Sequence, residues 1–152
     1  MAANRIITKV LQRYWRLTRG LRLEVRAAIR DAGGRTLLIR SCGAGAWHLP
    51  GTAVEYGEAA QDALARAIAD TGIALSGPVR LFAIYAAKQG GRSVQIALYQ
   101  VTSWSRTSLP KGDGAGAECQ FFDPAGLPSN VDPAALRRIN DITAGRAASD
   151  LW

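Results

Sequence analysis

The sequence predicts a mixed α+β sandwich. Three observations carry this reading: two pairs of alternating segments, an alanine-rich helix set behind a glycine loop, and a final helix with its own start signal. The chain has 152 residues, enough for one domain with a real core. Hydrophobic residues make up 48% and charged residues 20%, as in an ordinary globular protein. No apolar run approaches the ~18–20 residues needed to span a bilayer. The opening MAANRIITKV is broken by charges and does not read as a secretory signal. Cys42 and Cys119 lie far apart, without metal-ligand spacing, which favours a reducing, cytoplasmic setting.

The elements follow in order. Residues 4–19 read as a basic amphipathic helix, with Ile6, Ile7, Val10, Leu11, Tyr14 and Leu17 at three- and four-residue steps and Gly20 as its stop. Its short stripe favours docking on the domain. The rival reading is contact with a membrane surface or nucleic acid, which the net charge of +7 keeps open. Leu21–Arg30 and Arg35–Ser41 alternate as strands around the turn Asp31-Ala32-Gly33-Gly34, predicting a hairpin. A loop follows to Gly45, then a short strand Trp47–Leu49. Residues 59–71 form a helix stopped by Gly72. Val79–Ala87 and Ser93–Thr102 form a second strand pair about Gly90-Gly91. Residues 103–116 read as loop and Glu118–Phe122 as a last strand. Asp132-Pro133 opens a helix to about Thr143, an N-cap residue followed by proline. The tail AASDLW is loose unless Trp152 is buried.

The segment from Trp47 to Ile73 resembles the Nudix box, G-x5-E-x7-R-E-U-x-E-E-x-G-U, with U aliphatic. Leu49-Pro50-Gly51 matches its usual lead-in, and Val54-Glu55-x-Gly57-Glu58 matches its loop. Arg66 stands at the required eighth position after Glu58, followed by Ile68 and the closing Gly72-Ile73. The strands RLFAIY and VQIALYQV, and Glu118-x-x-Phe121-Phe122 leading into Asp123-Pro124, extend the likeness to about Gly20–Gly145. The implied fold is a mixed β-sheet sandwiched between helices. The implied organisation is a helix at 1–19 within the same domain, a Nudix domain at 20–145 and a tail at 146–152. The implied activity is metal-dependent hydrolysis of the pyrophosphate bond in nucleoside diphosphate-linked compounds.

The box is degenerate. Its first Gly is Thr52, the Glu after Arg66 is Ala67, and the paired Glu positions fall on Asp70 and Thr71, with the spacer before Gly72 one residue short. The helix therefore ends early, or the alignment slips by one residue. Magnesium or manganese wants hard oxygen ligands. The resemblance assigns Glu58 and Asp70 to metal binding and Glu118 to an auxiliary ligand or water activator. Arg66 is expected to orient a carboxylate. Restored glutamates at 67 and 71 are expected to raise metal affinity. The bland reading makes Asp62, Arg66 and Asp70 an ordinary ion-paired helix stripe.

Candidate substrate contacts are Arg40, Trp47, Glu55 and Tyr85. Arg80, Lys88 and Arg92 are further phosphate contacts or plain surface charges, and Trp47, Tyr85 and Tyr99 either stack a base or fill the core. His48, the single histidine, reads as structural or as a pocket edge rather than a base. No covalent nucleophile arrangement is visible. The expected partner is a small nucleotide or nucleoside diphosphate derivative. Nucleic acid and a membrane surface are not expected partners, and exposed strands would allow a homodimer. The alternative is a catalytically silent Nudix-fold protein that binds a nucleotide or regulates without cutting.

Overall fold

The computed structural model describes Leu11 and residues 20–41, 45–107 and 118–152. The N-terminal helix read at 4–19 lies, apart from Leu11, outside them, as do residues 42–44 and 108–117, which include parts of the two segments read as loop.

The strands are β1 (Arg22–Ile29), β2 (Thr36–Arg40), β3 (Gly51–Ala53), β4 (Ile73–Leu75), β5 (Arg80–Gln89), β6 (Arg92–Val101), β7 (Trp104–Arg106) and β8 (Glu118–Phe122). The helices are α1 (Ala60–Ala69) and α2 (Pro133–Ala144). The central sheet has the order β3-β1-β6-β5, and two smaller sheets pair β2 with β8 and β4 with β7. The sheet is mixed: β1 runs parallel to β6 and antiparallel to β3.

Alternation along β1 sets the layers. Val25, Ala27 and Ile29 point to one face and pack with Ala63, Leu64 and Ile68 of α1. Ala28 points to the other face, where Leu98, Tyr85 and Trp47 pack with Ala135, Ile139 and Ile142 of α2. One sheet thus carries two cores, each closed by one helix, as the sequence predicts.

The β5–β6 hairpin turns on Gly90 and Gly91, at φ 55° and 76°. Two successive positive φ values suit a tight hairpin turn and favour glycine at both places. Helix α2 starts where expected: the Asp132 carboxylate accepts the Ala135 N–H at 2.9 Å, and Pro133 follows at the first turn. Gly145, at φ 73°, ends it.

Four local expectations change. The first hairpin keeps its turn, with Asp31 accepting the Arg35 N–H at 2.9 Å, but β2 leaves β1 after a single bridge and pairs with β8. Residues 47–48 make only isolated bridges, while the next segment, Gly51–Ala53, becomes strand β3. The stretch read as loop from 103 begins with strand β7. Helix α1 stops two residues early, because Gly72 at φ 74° turns the chain and its N–H already bonds the Ala69 carbonyl at 3.0 Å.

The tail is tied down. Ala86 donates to Asp150 O at 2.8 Å and Trp152 donates to Ala86 O at 3.0 Å, so the tail runs beside β5. The Trp152 ring meets Tyr85 edge-on at 5.6 Å.

Candidate active site

The loop between β3 and α1 is locked by one arginine. Arg66 Nε donates to Glu58 Oε1 at 3.0 Å and Nη2 donates to Oε2 at 2.9 Å. This two-toothed pairing matches the guanidinium plane to a carboxylate. Nη2 also donates to the Ala53 carbonyl at 3.1 Å, which ties α1 to β3. The Glu55 N–H donates to Glu58 Oε2 at 2.8 Å, closing the turn at Gly57. Both Glu58 oxygens are therefore engaged within the protein. Glu55 lies 3.8 Å from Arg66 and is largely exposed.

The Arg66 hydrogen bonds, then the Glu55 N–H, hold the Glu58 carboxyl below its ordinary value of 4.5. A depressed folded value means the lock contributes fully above that ordinary value. It is lost as pH falls through the depressed one. A carbon-detected NMR titration of Glu58 is expected to show a midpoint below 4.5. An unshifted midpoint would mean that the lock is absent in solution.

Asp70 caps the C-terminus of α1 and is exposed. Its charge reaches Arg66, yet among the described residues it forms no ion pair. The expected i, i+4, i+8 ion-paired stripe is therefore replaced: Arg66 binds back to Glu58 in the loop. Thr71 is buried, and its hydroxyl donates to the Ile68 carbonyl at 2.6 Å. A glutamate at 71 would thus enter the core, so the expectation that it restores a ligand is corrected. Ala67 is partly exposed and leaves room for one.

Glu118 stands apart from this group. It pairs across β2–β8 with Arg40, at 2.9 Å to Nε and 2.7 Å to Nη2. The Arg40 guanidinium also sits 4.6 Å over the Trp47 ring. Trp47 is buried, edge-on to Phe122 at 4.9 Å, so it serves as a platform for Arg40 rather than as a free stacking face. Tyr85 is fully buried and donates to Asp141 at 3.3 Å, which withdraws its ring from any ligand. Burial pushes its hydroxyl up to about 12. Tyr99 likewise belongs to the core.

A cavity of about 480 Å³ opens on the α2 side of the sheet, lined by residues including Arg26, His48, Leu49, Asp132 and Trp152. Arg26 donates to Glu24 at 2.9 Å, and burial lowers its basicity against the pull of Glu24. Gly51 leaves the space across which the Arg26 side chain lies. His48 stands at this edge, as one of its sequence readings has it. Arg26 and Trp152 escape sequence reasoning. An arginine in an alternating strand looks like a solvated charge, and a terminal tryptophan carries no periodic signal.

Magnesium usually takes one or two carboxylates, with waters and substrate phosphates completing its shell. Among the described residues no three His, Cys, Asp or Glu side chains gather in a metal-binding arrangement. Among the described residues Asp70 carries an exposed carboxylate outside any ion pair, the kind of donor that one ion held largely by water and phosphate would use.

The mixed sheet between two helices, with an arginine-locked loop feeding the first helix, defines a Nudix-type sandwich. The sequence matches the NUDIX domain over residues 20–141, and the chain belongs to that family. Among solved structures it is similar to a MutT NUDIX hydrolase from Burkholderia pseudomallei, at 26% identity and TM-score 0.67, covering 80% of this chain and 97% of that one. A NUDIX hydrolase from Nitrosomonas europaea gives 22% and 0.67, covering 84% and 91%. A structure described as a UDP-X diphosphatase gives 20% and 0.59, covering 82% and 64%. No curated protein matches the sequence. No described helix is long and apolar enough to cross a membrane.

Proposed function

We propose that the protein is a weak pyrophosphohydrolase of nucleoside diphosphate-linked compounds. The observation that carries this reading is the commitment of the acids: Glu58 to Arg66 and Glu118 to Arg40, leaving Asp70 as the one unpaired carboxylate of this group among the described residues. Family membership supports the reaction class, and the few available oxygens support the low rate.

In this reading the cavity holds the nucleoside, and the phosphates pass the sheet edge at β3, where Gly51 pairs with the cavity residue Arg26, toward the loop and α1. Water attacks one phosphorus of the bridge. The bridging P–O bond breaks, giving a nucleoside monophosphate and a phosphorylated remainder. A bound magnesium or manganese ion supplies charge neutralisation and water activation. Asp70 would hold it. Arg66 fixes Glu58 and, through Ala53, the position of α1 against β3. Glu118 acts as an auxiliary base once Arg40 turns to a phosphate. A cytoplasmic location suits such a substrate.

The second reading is a silent nucleotide-binding protein, and the same shortage of free carboxylates favours it. Turnover separates the two. Nucleoside diphosphate sugars and nucleoside triphosphates, assayed with magnesium or manganese, are expected to release products slowly. Asp70→Asn is expected to remove that release, each ~1.4 kcal/mol of lost transition-state stabilisation costing about tenfold in rate. A complete lack of metal-dependent product would leave the silent reading. Rapid turnover that survives Asp70→Asn would overturn the ligand assignment.

A further inference from the structure

Among the described residues the cavity beside β1 has one indole in its wall, and it comes from the tail. Trp152 reaches it because the tail is fastened at several points. Its N–H donates to Ala86 O at 3.0 Å. Arg138 Nη1 donates to Leu151 O at 2.8 Å, and Arg137 Nη2 donates to Trp152 O at 3.0 Å. The indole rests edge-on against Tyr85, and the Arg138 guanidinium lies 5.7 Å from its centre. A ring held this way has lost its rotational freedom before any ligand arrives, so a contact with it costs little further entropy.

Beside the apolar Ala46, Leu49 and Ala135, the lining carries polar groups of both senses. Arg26 brings donors, Asp132 a carboxylate acceptor, and His48 and Gln89 both kinds of group. A flat ring with donors and acceptors on its edge suits such a lining, whereas a bare phosphate has no use for an indole or a carboxylate. The volume is of the size that takes small-molecule ligands. Trp47, Tyr85 and Tyr99, the aromatics that the sequence suggests for stacking, are all buried, so among the described residues Trp152 is the tryptophan or tyrosine that lines this cavity.

We infer that Trp152 is a specificity-determining residue that contacts the base of a nucleotide seated in the cavity. The inference rests on the nucleotide reading above. Replacing the indole weakens the hold on the base and leaves the hold on the phosphates as it was.

The test uses the α,β-methylene analogues of ADP, GDP, CDP and UDP, which resist cleavage, with methylenediphosphonate as a phosphate-only probe. Each is titrated calorimetrically, with magnesium present, into wild type, Trp152→Ala and Trp152→Phe. The analogue that binds wild type most tightly is expected to lose about tenfold or more in affinity with Trp152→Ala. It is expected to lose less than about threefold with Trp152→Phe, which keeps a stacking ring. The response to methylenediphosphonate stays the same in all three proteins. Unchanged analogue affinity in Trp152→Ala would overturn the inference alone. So would equal losses in both variants, or a parallel loss of methylenediphosphonate, because either marks a merely structural residue. Failure of wild type to bind any of the four analogues would remove the nucleotide reading and this inference with it.

Discussion

Arg138→Leu is expected to lower the unfolding free energy by about 3–5 kcal/mol, the usual result of removing one partner from a buried ion pair. Arg138 is 1% exposed in the middle of α2. Its Nε lies 3.1 Å from Asp141 Oδ2, in charge contact but outside hydrogen-bond alignment, so Nε keeps no hydrogen-bond partner. Its guanidinium lies 4.1 Å from the centre of the Tyr85 ring, and Nη1 holds Leu151. Leucine leaves the Asp141 carboxylate buried beside only the Tyr85 hydroxyl and the Ala148 N–H. It also releases the tail. For a domain of this size the loss corresponds to about 6–20 °C in melting temperature. Calorimetry or urea unfolding reads it directly. The double variant Arg138→Leu/Asp141→Leu is expected to recover most of the loss, because an apolar pair of similar volume needs no charge partner. A single variant within about 1 kcal/mol of wild type would show that the pair does not hold α2 and the tail together.

Gly51→Ala is expected to be the other large effect. A Cβ at this position would run into the Val25 backbone carbonyl and come within 2.7 Å of Arg26 Cδ and Nη1. A side-chain tip can move aside, but a carbonyl in the β1 ladder cannot. Gly51 pairs with Arg26, and the neighbouring Ala27 N–H bonds the Pro50 carbonyl at 2.8 Å. Overpacking at such a place costs about 3 kcal/mol. The same displacement moves Ala53 away from Arg66, so the loop lock loosens as stability falls. Thermal unfolding together with an NMR spectrum of the Arg66 side chain would report both effects. A wild-type melting temperature and an unmoved Arg66 signal would contradict the packing of β3 on β1.

The start of helix α2 was legible in the sequence, because Asp132 and Pro133 are local signals that act within one turn of the chain. The β5–β6 hairpin was legible for the same reason, in its two glycines. Helix α1 was legible in its start and type. The short spacer before Gly72 leaves its end open between an early stop and a slipped alignment, and the turn at Gly72 gives the early stop. Strands β3, β4 and β7 are three residues each, too short to show a period. The parallel partnership of β1 with β6 joins segments about seventy residues apart and leaves no local trace.

In the candidate site Arg66 bonds Glu58, eight residues before it, across the turn at Gly57. Asp141 and Arg138 look like an ordinary surface pair at i, i+3, but they pack between Tyr85 of β5 and the tail, and both are buried. Trp152 was visible as a residue whose burial would decide the order of the tail, but not as a cavity wall. The partners that give these residues their roles are distant in sequence, and a pattern of neighbours cannot name them.

The most direct test of the shortage of free acids is a manganese titration of the wild-type protein, free of nucleotide, followed by electron paramagnetic resonance. In the proposed reading Asp70 is the one unpaired carboxylate of the site among the described residues, so no saturable binding is expected until a methylene nucleotide is added, and then one ion per chain. Two ions bound tightly to the protein alone would contradict that expectation and mark a complete catalytic centre.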